Sequence, residues 1–290
     1  MKPLVVIIAN PAAGRASAEE IRHAARFLEG KGCIAEILLT QKRGDAERFA
    51  REALLKKPLF IMAAGGDGTI NEAVNGMAGS ETPLAVLPLG TTNVLARELN
   101  ISNDISTYPD KALAGDFRTA SMGRIEAGGG SRYFSLMAGI GFDGRAVHDM
   151  NPSLKNVSGE AAYFLSGLMS LVRYSPDNIS LTIEGREYPA HSAIVGKSSR
   201  YGGDYRITPD AGLFDPFFYT CIFQGRTRRD LLRYVFGVLR GRHLEYKDVA
   251  YLKSDFVEIR GSAHIQIDGD YFGTTPAGIS IEKDALKILC

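Results

Sequence analysis

Eight residues, Gly65-Gly66-Asp67-Gly68-Thr69-Ile70-Asn71-Glu72, join a short apolar run to a helix-like segment. The run before them, Leu59–Ala64, reads as a buried strand, and Ala73–Met77 after them as the opening of a helix. A strand, a glycine turn and a helix N-terminus in that order form an anion site. Glycine lets the backbone turn sharply and approach a ligand closely, because no β-carbon stands in the way. The first amides of the helix have no internal acceptor and carry the positive end of its dipole. Asp67 within such a turn would repel a phosphate unless a cation lay between them, so the combination points to a nucleotide with a divalent metal. Asp and Thr also cap helices, and on the octet alone a capped turn is an equal reading.

The first 120 residues alternate strand and helix signals. Strands are expected at Leu4–Ala9, Ile34–Thr40, Leu59–Ala64 and Leu84–Leu87, and helices at Ser17–Lys31 and Asp45–Lys56. This alternation predicts a doubly wound, mostly parallel sheet, whose ligands bind beyond the carboxyl ends of the strands. Asn10, Thr40, Gly65 and Gly90 each follow a strand and are expected along one edge of the sheet. From about residue 123 the pattern changes to short strands between glycine-rich or polar turns: Arg132–Met137, Ile179–Glu184, Ala190–Gly196, Phe217–Phe223, Phe256–Arg260 and His264–Ile267. Helices are expected at Glu160–Arg173 and Arg228–Arg240, and Gly128-Gly129-Gly130 reads as a hairpin tip. A mainly antiparallel β domain is therefore predicted over 123–278, after an α/β domain over 1–122.

Bulk composition excludes several classes. With 34 basic and 33 acidic residues the net charge is +1, which provides no global field to draw the chain to nucleic acid. No apolar run approaches the roughly 18 residues that span a bilayer, and Leu4–Ala9 is too short for a secretory signal. Three scattered cysteines, Cys33, Cys221 and Cys290, suggest neither a disulfide framework nor a zinc site and fit a reducing cytoplasm. Local charge is another matter. Arg226–Lys247 sets seven Arg and Lys against Asp230 and Glu245, with Leu231, Leu232, Val235, Phe236, Val238 and Leu239 interspersed. A basic amphipathic helix can lie on anionic lipid; it can equally pack on a core with a solvated basic side.

Four motifs in order resemble the diacylglycerol-kinase catalytic superfamily, which includes bacterial lipid kinases and sphingosine kinases. They are Asn10-Pro11-Ala12-Ala13-Gly14, the octet 65–72, Pro88-Leu89-Gly90-Thr91-Thr92-Asn93, and Gln266-Ile267-Asp268-Gly269-Asp270. Gly139-Ile140-Gly141-Phe142-Asp143 and Lys155 with Ala162-Tyr163 resemble landmarks of its second domain. The resemblance implies an NAD-kinase-like first domain to which residues 279–290 return. It also implies ATP contacts at Asn10, Pro11, Ala12, Ala13, Gly14, Thr40, Gly66, Asp67, Gly68, Thr69, Ile70, Asn71, Glu72, Thr91 and Asp270. Asp67 would organise the nucleotide's magnesium. Asp268 would be the general base, since phosphoryl transfer to an alcohol needs a proton acceptor; read alone, Asp268-Gly269 is an ordinary hairpin turn. A loop resembling 209–217 holds a structural magnesium in the family, which implies ligands at Gly212, Asp215 and Phe217.

Departures are visible too. Val94 and Ser121 stand where the family tends to carry Asp, Pro216 where it carries Gly, and Asp270 where it carries Glu. The expectation is an ATP- and magnesium-dependent kinase of a lipid hydroxyl such as that of diacylglycerol, acting in a cleft between the domains. It would be cytoplasmic, with peripheral contact at the inner membrane surface and room for a homodimer. An NAD kinase, or a catalytically weak nucleotide- or lipid-binding regulator, are the alternatives.

Overall fold

The computed structural model describes residues 2–14, 18–101, 104, 106–149, 176–201 and 204–290. The helix expected at Glu160–Arg173, Lys155 and Ala162-Tyr163 lie outside the described residues. The chain divides into two compact units, Met1–Met122 with Lys283–Cys290, and Gly123–Glu282.

The first unit is an α/β sheet. In chain order it contains β1 (Leu4–Ala9), α1 (Ala18–Gly30), β2 (Ile34–Leu39), α2 (Asp45–Leu54), β3 (Phe60–Gly65), α3 (Asp67–Met77), β4 (Leu84–Pro88), α4 (Val94–Glu98) and α5 (Tyr108–Ala114). The strand order is β2-β1-β3-β4, all parallel. Both β3 and β4 are buried along their whole length, as strands covered on both faces must be, which is why they read as unbroken apolar runs. One face packs Ile21, Ala24 and Leu28 of α1 against Ile7, Met62 and Ala85.

The strand β5 (Arg118–Ala127) leads into the second unit, where it forms a hairpin with β6 (Gly130–Phe134). Gly128 and Gly129 are its tip, with φ of 58° and 80°, values that suit glycine at both turn positions. Next come β7 (Met137–Gly141), α6 (Phe142–His148), β8 (Ile179–Ile183), β9 (Arg186–Ala190), β10 (Ser192–Gly196), β11 (Arg200–Tyr201) and β12 (Tyr205–Arg206). They are followed by β13 (Phe218–Phe223), α7 (Arg228–Leu239), β14 (Val249–Ser254), β15 (Phe256–Gly261), β16 (His264–Ile267), β17 (Asp270–Thr274) and β18 (Ala277–Ile288). One antiparallel sheet runs β14-β13-β10-β7-β16-β17. A second layer pairs the start of β18 with β15, β15 with β8, and β8 with β9. Their facing side chains, among them Ile140, Ala193, Phe218, Leu181, Val257 and Ile279, form one core. The end of β18 belongs to the first unit, where Ile288 pairs with Leu84 in parallel.

Two local differences from expectation bear on the site. The run Arg132–Met137 is not one strand: the chain turns at Ser135-Leu136 and begins β7 at Met137. Ala190–Gly196 is likewise divided at His191 between β9 and β10. Continuous apolar patterning hides a turn whose amides are satisfied by a distant side chain, and the first of these is such a turn.

Candidate active site

At the carboxyl ends of the parallel strands the following turns are tied to one another by main-chain bonds. Thr40 N donates to Ala9 O at 2.9 Å, Asn10 N to Ala64 O at 3.0 Å, and Leu89 N to Gly65 O at 2.9 Å. Asn10 Oδ1 accepts from Ala12 N at 2.9 Å, closing the 10–14 turn on itself. The turns also touch directly. A β-carbon on Gly90 would lie 2.4 Å from the α-carbon of Gly66, and one on Gly14 would lie 2.9 Å from Thr91 Oγ1. Glycine is required at these positions because two backbones meet there, not because of an unusual φ. The structure thus brings Asn10, Gly14, Thr40, Gly66 and Thr91 to one edge, although they span 82 residues of sequence.

The helix α3 begins at Asp67, with Gly66 as an uncapped N-cap in extended conformation. The amides of Asp67, Gly68 and Thr69 therefore stand at the open end of an 11-residue helix. Gly68 is exposed, and a β-carbon there would meet nothing within 4 Å. Asp67 Oδ1 accepts a long, 3.4 Å bond from Leu95 N. Asn93, at φ 48°, clamps the neighbouring turn: its Oδ1 accepts from Gly90 N at 2.9 Å and its Nδ2 donates to Gly90 O at 2.8 Å.

The rest of the octet faces inward. Ile70 is buried and its amide donates to Gly66 O at 3.1 Å. Asn71 Oδ1 lies 3.3 Å from Asn75 Nδ2. Glu72 is buried and reaches another helix, Oε1 accepting from Gly44 N at 2.9 Å and Oε2 from Ala46 N at 3.1 Å. It closes the N-terminus of α2, where a carboxylate meets unsatisfied amides and a favourable dipole. Asp45 completes that corner by accepting from Gln41 N and Lys42 N, bonds that, with Arg48, hold its carboxyl below the usual range.

In the second unit Asp268 and Gly269, at φ 47° and 85°, are the two-residue tip between β16 and β17. The turn is a hairpin, and it still aims the Asp268 carboxylate at a defined target, the β6–β7 turn. Oδ2 accepts from Ser135 N at 2.9 Å and Ser135 Oγ at 3.1 Å; Oδ1 accepts from Leu136 N and Met137 N, both at 2.9 Å. A carboxylate offers about four lone-pair sites, and these four donors match them. Beneath the tip, Gln266 Oε1 accepts from Gly269 N at 2.8 Å while its Nε2 donates to the buried Asp143, which Tyr201 Oη also reaches. A β-carbon on Gly139 would collide with Asp143 Oδ2, which explains the glycine. Sequence reading placed Asp143 only as a landmark; the sole signal of its role was its spacing from Gly139. Asp270 opens β17 opposite Ile267.

The 208–217 loop encloses a side chain that the sequence did not flag. Lys197 follows β10, is 0% exposed, and donates through Nζ to Gly212 O at 2.6 Å and Asp215 O at 2.7 Å. The Asp215 carboxylate lies over Gly212, 2.8 Å from where a β-carbon would sit. Burial pushes the lysine down to about 8, opposed by the Asp215 charge, so it stays mostly protonated at neutral pH. Phe217, whose carbonyl is the third ligand that the resemblance implies, places its ring 3.6 Å from Lys253 Nζ. Among the described residues no group of three or more His, Cys, Asp or Glu is placed to hold a metal ion.

Sequence comparison accounts for both units. Residues 4–125 match the diacylglycerol kinase catalytic domain, and residues 137–290 match the YegS C-terminal NAD kinase beta sandwich-like domain. A diacylglycerol kinase of Bacillus subtilis (strain 168) is 32% identical over 280 residues, which cover 93% of this chain and 90% of that one. The chain belongs to the diacylglycerol kinase family. A Staphylococcus aureus (strain bovine RF122 / ET3-1) diacylglycerol kinase is 29% identical over 293 residues, covering 98% and 91% of the two chains. A solved structure from Bacillus anthracis str. Sterne shares the fold with a TM-score of 0.79 at 21% identity, over 99% of this chain and 97% of that one. Members of the diacylglycerol kinase family are lipid kinases, and this chain is an enzyme of that class. Its α/β first unit and antiparallel second unit are the two parts of the family architecture. Among the described residues no helix is long and apolar enough to cross a membrane.

Proposed function

We propose that this chain transfers the γ-phosphoryl group of magnesium-bound ATP to the free hydroxyl of a diacylglycerol. The observation that carries the nucleotide assignment is the contact of Gly66 with Gly90 beside the open N-terminus of α3. It leaves several main-chain amides and the Asp67 carboxylate at the carboxyl edge of a parallel sheet, where such folds bind ligands. The amides of Gly66, Asp67, Gly68 and Thr69, with the 10–14 turn, Thr40 and Thr91, hold the phosphates. Magnesium bound with the nucleotide neutralises phosphate charge during transfer. Asp67 fits it as a single carboxylate that leaves most ligand positions to phosphate and water, as this ion prefers.

Asp268 takes the proton of the lipid hydroxyl. Four donors already occupy its carboxylate oxygens. Of the four donors described, the Ser135 hydroxyl can rotate away without moving backbone, and Asp268 accepts the proton at the position it vacates. Glu72, Asn71 and Ile70 act through the shape of the turn. Family membership supports the diacylglycerol assignment, since the curated relatives bear that name over nearly the full chain.

Contact with anionic membrane is assigned to the exposed side of α7. Leu232 is 40% and Phe236 51% exposed, with exposed Arg228, Arg229 and Arg240 on the same side and the Arg240 guanidinium 5.7 Å over the Phe236 ring. Leu231, Tyr234 and Gly237 face the protein. A solvated basic face needs no exposed phenylalanine; a bilayer surface takes both. Arg233 serves the fold, bonded to Asp230 and Asp248. Recovery of labelled phosphate from ATP in a lipid, with NAD offered in parallel, tests the assignment.

A further inference from the structure

We propose that the Lys197 ammonium is the permanent cation of the 208–217 loop, which therefore closes without a divalent metal. Main-chain carbonyls and carboxylates are the oxygen ligands a hard cation takes. Here an ammonium already bonds Gly212 O, one of the implied ligands, and the neighbouring Asp215 O, from a fully buried position. A divalent ion on the same oxygens would press one cation against another in a poorly screened interior.

The surroundings are built around the lysine. A β-carbon on Gly196, the residue before it, would lie 2.0 Å from Thr208 Oγ1, so the end of β10 packs directly on the start of the loop. Thr208 Oγ1 donates to Ser198 O at 2.9 Å, fastening the loop just past Lys197. Asp215 N donates to Gly212 O at 3.1 Å, fixing both acceptor carbonyls in one turn. Pro216 next to it has no amide and a fixed φ, which suits a loop that has no ion to fold around.

The lysine also lies one residue from the candidate base. Lys197 N and Ser198 N both donate to Leu136 O, at 2.8 and 3.0 Å, and Leu136 N donates to Asp268. A tethered cation thus sets the β6–β7 turn independently of the divalent ion concentration. That consequence rests on reading Asp268 as the proton acceptor; the lysine assignment does not.

The test uses the full chain with neither nucleotide nor lipid, so its outcome is separate from that of the kinase assignment. Thermal unfolding is followed in EDTA, in millimolar magnesium and in millimolar calcium, and metal content is measured after dialysis. The wild type is expected to retain no stoichiometric divalent metal and to melt at the same temperature in all three. Lys197→Met is expected to melt lower in EDTA by about 5 °C or more, from the loss of charged bonds to buried carbonyls. It should regain part of that loss in calcium, whose ligands the empty oxygens would supply. The proposal is overturned if the wild type holds about one divalent ion per chain, or melts higher in calcium or magnesium, and Asp215→Asn abolishes the effect. It is also overturned if Lys197→Met melts like wild type in EDTA, or gains nothing from either ion. Should that variant not fold, the wild-type measurements still decide.

Discussion

The hydroxyl of Ser135 donates to Asp268 Oδ2 at 3.1 Å, beside a bond to the same oxygen from its own amide. This pair makes Asp268 at once the anchor of the β6–β7 turn and the proposed proton acceptor. Asp268→Asn is therefore expected to do two things. It places an NH2 donor against amide donors and lowers stability by about 1–3 kcal/mol, and it lowers kcat by about 10²–10⁴-fold. Ser135→Ala should lose stability on the order of 1 kcal/mol while keeping kcat at or above wild type, because it clears the lone pair. Steady-state kinetics with matched melting curves check both. A Ser135→Ala enzyme as slow as Asp268→Asn would put the hydroxyl itself in the proton path.

Asp67 and Glu72 lie five residues apart in one motif and are predicted to fail differently. Asp67→Ala should abolish magnesium-dependent activity with little change in melting temperature, since the residue is partly exposed at a helix start. Glu72→Ala uncaps α2 at Gly44 and Ala46 and should cost about 0.5–2 kcal/mol of stability, with nucleotide affinity of the folded protein near wild type. Calorimetric ATP titration and thermal melts of the two variants separate these effects.

The parallel architecture was legible because β1, β3 and β4 are buried on both faces and end in glycine turns, so apolar runs and turn residues marked the same boundaries. The convergence of Asn10, Thr40, Gly65 and Gly90 followed from each standing just after a strand of a parallel sheet. Three things were not legible. The turn at Ser135-Leu136 interrupts no apolar pattern, because its amides are satisfied by Asp268, more than 130 residues later. Glu72 reads as part of a phosphate motif, whereas its targets lie 28 and 26 residues earlier. Lys197 belongs to no motif, and its buried state depends on carbonyls, which have no sequence signature.

Association with anionic vesicles should depend on α7. Changing Arg228, Arg229 and Arg240 together to Gln removes three charges, each contributing about 1 kcal/mol near such a surface, for roughly a 100-fold loss of partitioning at low salt. Leu232→Ser with Phe236→Ser should weaken binding at high salt as well, where charge is screened. Vesicle co-sedimentation checks this; unchanged partitioning in both variants would leave α7 as a solvated helix.

Stability should fall on acidification below about pH 6.5. Burial pushes His243 below its usual value, outweighing the bond its Nε2–H donates to Ile207 O at 2.9 Å. His264 is lowered as well, by burial and then by His148 and Arg145. Below the unfolded value of about 6.5, the unfolded chain binds protons that the folded chain refuses. Stability is then fully present above that pH and is lost below it, with a slope of up to about 1.4 kcal/mol per pH unit for His243 and a smaller one for the more solvent-screened His264. His243→Gln should flatten the profile measured by denaturant unfolding; identical profiles would show that His243 does not titrate with folding.

Transfer of labelled phosphate from γ-labelled ATP tests the central claim most directly. The purified chain is offered a total lipid extract, purified diacylglycerol and NAD in separate reactions, each with and without magnesium. Label is predicted in phosphatidic acid from both lipid reactions, only with magnesium, and to be absent when Asp67→Ala replaces the wild type. Label in NADP, or in no lipid at all from a folded and nucleotide-binding preparation, would contradict the account.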